Sequence, residues 1–161
     1  MDLRSAVQTL YHNSDERARR AADRWLLEFQ SSAAAWEAAT QALSGGGGES
    51  DEVQFIAAQT LATKVRRDFD EVPSESVPNL RETLVSTLLR FTAAGMSPVC
   101  PQLCIAVAAM AGHMDAASWG GNVVSWLKDR LQREAPAIAV PCMMQMLSVL
   151  PEEAENSLRR P

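Results

Sequence analysis

The side chains best suited to chemistry in this chain are three cysteines and two histidines. Cys100 and Cys104 lie one helical turn apart, a spacing that could bring two thiolate ligands of a metal ion together. Only His113 and Cys142 could complete such a site, and both sit among apolar residues. Buried cysteines also pack well as small hydrophobic side chains. We predict core cysteines without a metal or a disulfide framework, because their number is odd and their neighbours are apolar.

The remaining candidates for catalysis do not form a recognisable constellation. His12 and His113 lie in no nucleophile motif, and adjacent acidic residues are typical of solvated helix ends and turns. Residues 45–48 are four glycines, which lose too much backbone entropy to stay helical. No Gly-Lys-Ser/Thr follows them and no strand precedes them, so they predict a flexible loop and not a phosphate-binding loop. The sequence therefore predicts no enzyme and no cofactor.

Composition narrows the class of protein. The chain has 161 residues, of which 47% are apolar and 6% are aromatic, and alanine and leucine are plentiful, which favours helices over strands. A formal net charge of −5 argues against a nucleic-acid binder that relies on phosphate neutralisation. No window of about 18 apolar residues exists, and the N-terminus lacks the order of a secretory signal. We expect a protein of the cytosol or nucleus that contacts neither membrane nor nucleic acid.

The elements that must position any site are helices, and the clearest one is predicted over residues 54–73. Asp51 follows the glycine run and could cap its start, whereas Pro73 cannot continue a helix. The segment carries an apolar residue every four positions, as expected for one buried face. The residues of this stripe are Ala57, Leu61, Val65 and Phe69.

Helical segments recur along the chain and form pairs. The first helices of the predicted pairs begin near Asp2, Ala33, Val77 and Ser118, and the second helices begin near Ser14, Asp51, Pro98 and Ala137. Most steps between equivalent helices are roughly 40 residues, which fits HEAT-type repeats better than tetratricopeptide repeats. We predict an all-α fold, a right-handed α-solenoid of about four HEAT-like helix pairs, in preference to a closed bundle. The first helices would then lie on the convex side and the second helices on the concave side.

The end of the chain predicts an open repeat array. A helix over residues 138–150 is apolar nearly all round, and Pro151 is expected to end it. Residues 1–151 would form the repeat region, and residues 152–161 a polar tail that does not cap the last helix. A solenoid needs a polar terminal cap. We therefore expect the tail to begin a linker to further repeats, in preference to a tail that folds over the open end.

The helix over residues 54–73 resembles the second-repeat helix of the importin-β (karyopherin) superfamily. The resemblance rests on an Ala-Ala-Gln-Thr-Leu core at 57–61, a lysine three residues later and an Asp-Phe-Asp-Glu-Val-Pro exit at 68–73. Further segments in matching order resemble the N-terminus of the transportin-SR branch, in its plant and green-algal form. They are residues 7–13, 22–30, 35–38, 119–120, 125–129 and 147–153.

This resemblance implies a nuclear import receptor that shuttles between cytoplasm and nucleus. Its concave N-terminal side would bind the GTPase Ran in its GTP form, and its cargo would be serine/arginine-rich proteins recognised by repeats that this chain lacks. The resemblance also implies that certain polar residues contact Ran. The alternative for each is an ordinary exposed side chain with no partner role. These candidates are Gln54, Gln59 and Lys64, followed by Asp15, Arg19 and Gln102. The alternative function is a generic HEAT-repeat interaction scaffold that Ran does not regulate.

Overall fold

The computed structural model describes residues 1–45, 48–95 and 97–159, and in this part of the chain all regular secondary structure is helical, without a β-strand. The prediction of an all-α fold is confirmed. The helices are α1 (Leu3–His12), α2 (Glu16–Ser31), α3 (Ala34–Ala42), α4 (Asp51–Arg67), α5 (Val77–Ala94), α6 (Val99–His113), α7 (Val123–Glu134) and α8 (Ala139–Leu158). Short 3-10 turns cover Phe69–Glu71, Ser74–Ser76, Ala116–Trp119 and Pro136–Ile138. The two central glycines of the predicted flexible loop lie outside the described residues.

Side-chain caps fix where the second helices of the first two pairs begin. Asp15 caps α2, next to the predicted start near Ser14, and Ser50, not the predicted Asp51, caps α4. The Ser50 hydroxyl accepts a hydrogen bond from the backbone N–H of Val53 at 3.3 Å. The predicted cap of α4 was wrong by one residue because Ser50 and Asp51 are neighbours and either residue type can cap a helix.

The fourth pair begins later than predicted. The predicted start near Ser118 lies in a 3-10 turn over Ala116–Trp119, which Asp115 caps by accepting from the N–H of Ser118 at 3.0 Å. Two glycines with φ angles of 61° and 99° then reverse the chain in a conformation that other residues rarely adopt. Asn122 follows them and caps α7, with its amide oxygen 2.8 Å from a first-turn N–H.

The α4 helix ends at Arg67, so the prediction of one continuous helix to Pro73 is wrong at its C-terminal end. Asp68 leaves helical geometry with φ −120° and ψ 25°, and a 3-10 turn over Phe69–Glu71 follows. The charges explain this end, because the last turn of α4 is basic whereas the next residues are acidic. Positive charge is favourable at a helix C-terminus and negative charge is unfavourable there.

The last helix does not end at Pro151, and the prediction of a non-helical polar tail is wrong for residues 152–158. Pro151 lies inside α8, which continues to Leu158. An interior proline costs a helix about 3 kcal/mol, so the segment beyond it needs tertiary contacts. Glu153 is buried and bonds to Arg66 of α4, and the Ser157 hydroxyl donates to a backbone carbonyl of α6 at 3.1 Å. These contacts hold the second half of α8 in place.

The helices pack as four successive pairs, which confirms a HEAT-like repeat arrangement. Within a pair, α1 packs on α2, α3 on α4 and α5 on α6. Between pairs, the most extensive contacts join α4 to α6 and α6 to α8, whereas the first helices of successive pairs share little contact. We call the closely packed helices α4, α6 and α8 the inner row of the array; that the second helices line the concave side stays a prediction. One continuous core runs through all four pairs.

Candidate functional site

The three candidates on α4 do not share one face of the helix. Gln54, Gln59 and Lys64 are five residues apart, and each step of five rotates a side chain by about 140° around an α-helix. Gln54 lies at the rim of a surface pocket near the start of the helix. Gln59 is half-buried, and Lys64 is completely buried. The structure therefore separates the three residues that the sequence grouped.

Lys64 is the centre of a polar cluster in which its own side chain is buried, although both interpretations of the sequence expected an exposed lysine. Its ammonium group lies 3.0 Å from the Asp68 carboxylate and 2.7 Å from the Glu71 carboxylate. The same group lies 5.6 Å from the centre of the Trp36 ring, within the range of a cation–π contact. Trp36 also donates its indole N–H to Glu71 at 2.8 Å. The cluster ties the 3-10 turn Phe69–Glu71 to α3 and α4.

This cluster makes the stability of the fold depend on pH. The hydrogen bonds that Lys64 and Trp36 donate hold the pKa of Glu71 below its ordinary value of 4.5. A carboxylate with a lowered folded pKa contributes stability above its unfolded pKa, and the contribution is lost as the pH falls through the folded value.

We therefore expect Glu71→Gln to unfold at lower urea concentration than the natural protein at pH 7. The difference should shrink as the pH falls below about 4, because the natural carboxylate then becomes protonated. Urea titrations followed by circular dichroism at pH 7, 5 and 3 would measure it. A difference that stays constant over this range would contradict the assignment. Glu75→Gln, at an exposed position in the next turn, serves as the control.

The uncovered face of α4 belongs to the inner row. It carries Phe55, Gln59, Thr63 and Arg66 at helical spacing, and all four are half-buried. On α6, Gln102 is likewise half-buried. Within the described residues the side-chain amides of Gln59 and Gln102 make no hydrogen bond, so each can donate to and accept from a partner protein.

An ion pair crosses the inner row from α4 to α8. The Arg66 guanidinium forks onto the Glu153 carboxylate, with the Nε–Oε1 distance at 3.0 Å. The two residues are 87 positions apart, and their side chains are 35% and 1% exposed. In a simple solenoid each repeat contacts only its neighbours. This pair instead joins the second repeat to the fourth and fixes their separation on the inner side.

The two candidates on α2 lie away from this face. Asp15 caps α2, with its carboxylate accepting from a backbone N–H at 3.0 Å. Arg19 is exposed in an open groove beside Arg20 and Arg24, and it makes no ion pair within the described parts of the chain. Contact between α2 and α4 is slight and includes one 3.1 Å hydrogen bond between side chains. The structure therefore does not bring these residues together with Gln59.

The cysteines show the features of core residues. Cys100, Cys104 and Cys142 are all buried and unpaired as thiols. Loss of hydration raises the pKa of Cys142 to about 11, so its thiol is protonated at neutral pH. Residues 1–45, 48–95 and 97–159 contain no cluster of three or more potential ligands able to hold a metal ion. The same residues contain no helix that is long and apolar enough to cross a membrane.

Comparison with known proteins identifies the family. A model of the importin-beta N-terminal domain matches residues 22–90, from within α2 to within α5. Transportin MOS14 of Arabidopsis thaliana is 40% identical over 155 residues, which are 96% of this chain and 16% of the relative. The chain belongs to the importin-β superfamily. An uncharacterized protein of Schizosaccharomyces pombe is 36% identical, over 96% of this chain and 15% of that relative. Importin-13 of Homo sapiens is 26% identical, over 97% of this chain and 16% of that relative.

The importin-β N-terminal domain match contains the whole of α4 and the Lys64 cluster. Gln102 and Glu153 lie beyond it, within the longer alignments to the relatives. Sequence reasoning missed Phe55, which is half-buried, and the pairing of Arg66 with Glu153. A signal for Phe55 was available, because an aromatic residue four positions before Gln59 falls on the same helical face.

Proposed function

We propose that this chain is the N-terminal part of a nuclear import receptor whose inner row binds Ran in its GTP form. Family membership supports the transport role, and the observation that carries the site is the pair of unbonded amides at Gln59 and Gln102. The chain spans 16% of the length of Transportin MOS14. Cargo of the serine/arginine-rich class would be held by repeats outside this chain. The receptor would shuttle between cytoplasm and nucleus.

The mechanism is binding linkage and not chemistry. If Ran-GTP and cargo favour different curvatures of the helical array, binding of one weakens binding of the other by the same factor. The Arg66–Glu153 pair restrains curvature across three repeats, so it sets part of the difference between the two shapes. Gln59 remains the leading contact, and Gln102 on α6 is the second. Gln54, at the start of α4, and Asp15 and Arg19, on α2, lie away from this face and would contact Ran only at the edge of a larger interface. Lys64 acts by positioning the helix.

The apolar residues exposed on α8 support the proposal that further helix pairs follow α8 in a longer receptor. Four apolar side chains on this helix are exposed on the side away from α6, which covers the buried Cys142 and Met146. They are Val140, Met144, Leu147 and Leu158. A further helix pair would cover such a stripe in a longer receptor, as within this chain α6 covers α4.

Capture of purified Ran tests this function. Immobilised chain is expected to retain Ran loaded with a non-hydrolysable GTP analogue and to release Ran loaded with GDP. Gln59→Lys should weaken retention about tenfold, the loss typical of a contact near an interface centre. Gln132→Lys, at an exposed position on α7 outside the inner row, is the matched control and should change nothing. Equal retention of both nucleotide forms would rule out a nucleotide switch and favour the generic scaffold.

A further inference from the structure

A second surface, which adjoins the inner face of α4 at Phe55, lies where the N-termini of α4 and α6 meet the C-terminal end of α1. It is a pocket of about 340 Å³, near the lower limit of typical ligand-binding cavities. That volume suits one or two side chains of a peptide better than a cofactor. The lining residues are Tyr11, Asp51, Glu52, Gln54, Phe55, Ser97, Pro98 and Val99.

The floor of this pocket is apolar. Tyr11 contributes a ring that is 48% exposed, Phe55 is half-buried, and Val99 is buried at the base. Pro98 lacks a backbone N–H and presents only an apolar ring beside them. Apolar side chains held open to water in a concave site gain free energy when a partner side chain covers them. The floor therefore selects an aliphatic or aromatic side chain.

The rim of the pocket is acidic. Asp51 and Glu52 are its only charged residues, and no lysine or arginine lines it. Asp51 makes no ion pair within the described residues, and Glu52 has only the His12 imidazole, at 3.3 Å. The positive ends of α4 and α6 offset roughly half a charge each. Two carboxylates therefore leave the rim negative, and a cation is its complement.

We propose that this pocket docks a short basic–apolar segment of a partner protein. An apolar side chain enters between Tyr11, Phe55 and Val99, and a neighbouring lysine or arginine pairs with Asp51 and Glu52. The proposed Ran contact at Gln59 lies one turn after Phe55 on the same face of α4, whereas Asp51, Glu52 and Tyr11 lie at the start of α4 and the end of α1. The two sites therefore adjoin each other, and their leading residues differ.

The test uses a fluorescent hexapeptide, Gly-Arg-Leu-Phe-Arg-Gly, titrated against the whole chain with anisotropy as the readout. Two matched peptides replace both arginines by glutamate or both apolar residues by serine. The basic–apolar peptide should bind at least tenfold more tightly than either, and its affinity should fall as salt rises from 50 to 200 mM. Amide shifts in NMR spectra should centre on the pocket lining. Binding of the glutamate peptide with equal affinity, or shifts centred elsewhere, would overturn the proposal.

Variants test separately the contributions of the apolar floor and of the acidic rim to peptide binding. Tyr11→Ala should weaken the peptide at least fivefold, and Asp51→Asn with Glu52→Gln should weaken it about tenfold and remove most of its salt dependence. The controls are Leu27→Ala, an exposed apolar residue on α2, and Asp129→Asn, an exposed carboxylate on α7. Thermal melts check that each variant is folded. If either pocket variant binds as the natural chain does, the proposed mode of docking is wrong.

The Ran proposal and the docking proposal can fail separately. Gln59→Lys should lose Ran and keep the peptide, whereas Tyr11→Ala should lose the peptide and keep Ran. Failure of Ran capture with intact peptide binding would reject only the proposed receptor site. Loss of the peptide in the Gln59→Lys chain would show that the two surfaces are one, and it would overturn the proposal of two separate sites.

Discussion

Arg66→Met is expected to lower the free energy of unfolding by about 3 kcal/mol, because it strands a buried carboxylate. Breaking a buried ion pair by removing one partner costs about 3–5 kcal/mol, and the lower end applies because the Arg66 side chain is 35% exposed. Glu153 cannot compensate by hydration, since its side chain is only 1% exposed. The interior proline of α8 increases the effect, because the segment beyond it depends on this contact.

A double-mutant cycle isolates the pair from the rest of Arg66. Glu153→Leu alone should also destabilise, whereas Arg66→Met combined with Glu153→Leu should return to within about 1 kcal/mol of the natural chain, because an apolar pair of similar size packs without a stranded charge. Urea unfolding at pH 7 measures all four proteins. Arg67→Met, an exposed neighbour, should stay within about 0.5 kcal/mol. A double variant as unstable as Arg66→Met alone would contradict this account.

Loss of the Arg66–Glu153 ion pair also predicts which part of the chain unfolds locally first. In Arg66→Met, the backbone amides of residues 152–158 should exchange with deuterium faster than those of residues 139–150. Only residues 152–158 lose an ion pair with α4. If both halves of α8 speed up equally, the pair stabilises the whole fourth repeat and not its end. Exchange is read by mass spectrometry on the intact chain, with Arg67→Met as reference.

The repeat architecture could be predicted from the sequence because it depends on local signals. Apolar spacing and helix punctuation placed the starts of α1 to α6 within about two residues, since caps and breakers act over one turn. The start of α7 was missed because an additional 3-10 turn separates Asp115 from Asn122. The end of α8 was missed because Pro151 is a local signal whereas the contact of Glu153 with Arg66 spans 87 residues. Long-range contacts override local preferences of this size.

The candidate site was harder to predict than the fold. Lys64 lies seven residues after Ala57, so the same periodicity that defined the apolar stripe places it on the buried face. Its residue type suggested exposure instead. The carboxylates and the indole that make burial possible come from a 3-10 turn and from α3, and no spacing rule brings Trp36 and Glu71 to the same lysine. Burial of a charge depends on partners that only the folded chain assembles.

Lys64→Ala is expected to lower the free energy of unfolding by about 3 kcal/mol, close to the loss for Arg66→Met. Truncation of a long, fully buried side chain costs about 2–5 kcal/mol. Here it also removes the hydrogen bonds to Asp68 and Glu71 and leaves a void beside the Trp36 ring. Hydration of Asp68 and Glu71 offsets part of this loss, because their side chains are 26% and 36% exposed. Lys64→Met fills the void and should cost about 2 kcal/mol. Urea unfolding at pH 7 measures both variants.

These variants also separate a positioning role for Lys64 from a direct contact with Ran. A buried lysine can influence a partner only through the geometry of the turn over Phe69–Glu71. Asp68→Asn with Glu71→Gln loosens the same turn and leaves Lys64 in place, so it should weaken Ran capture by the same factor as Lys64→Met. If capture falls for Lys64→Met alone, while the carboxylate variant binds normally, the ammonium group must leave the cluster to reach Ran. The buried arrangement would then be the unbound state of a switch and not a fixed support.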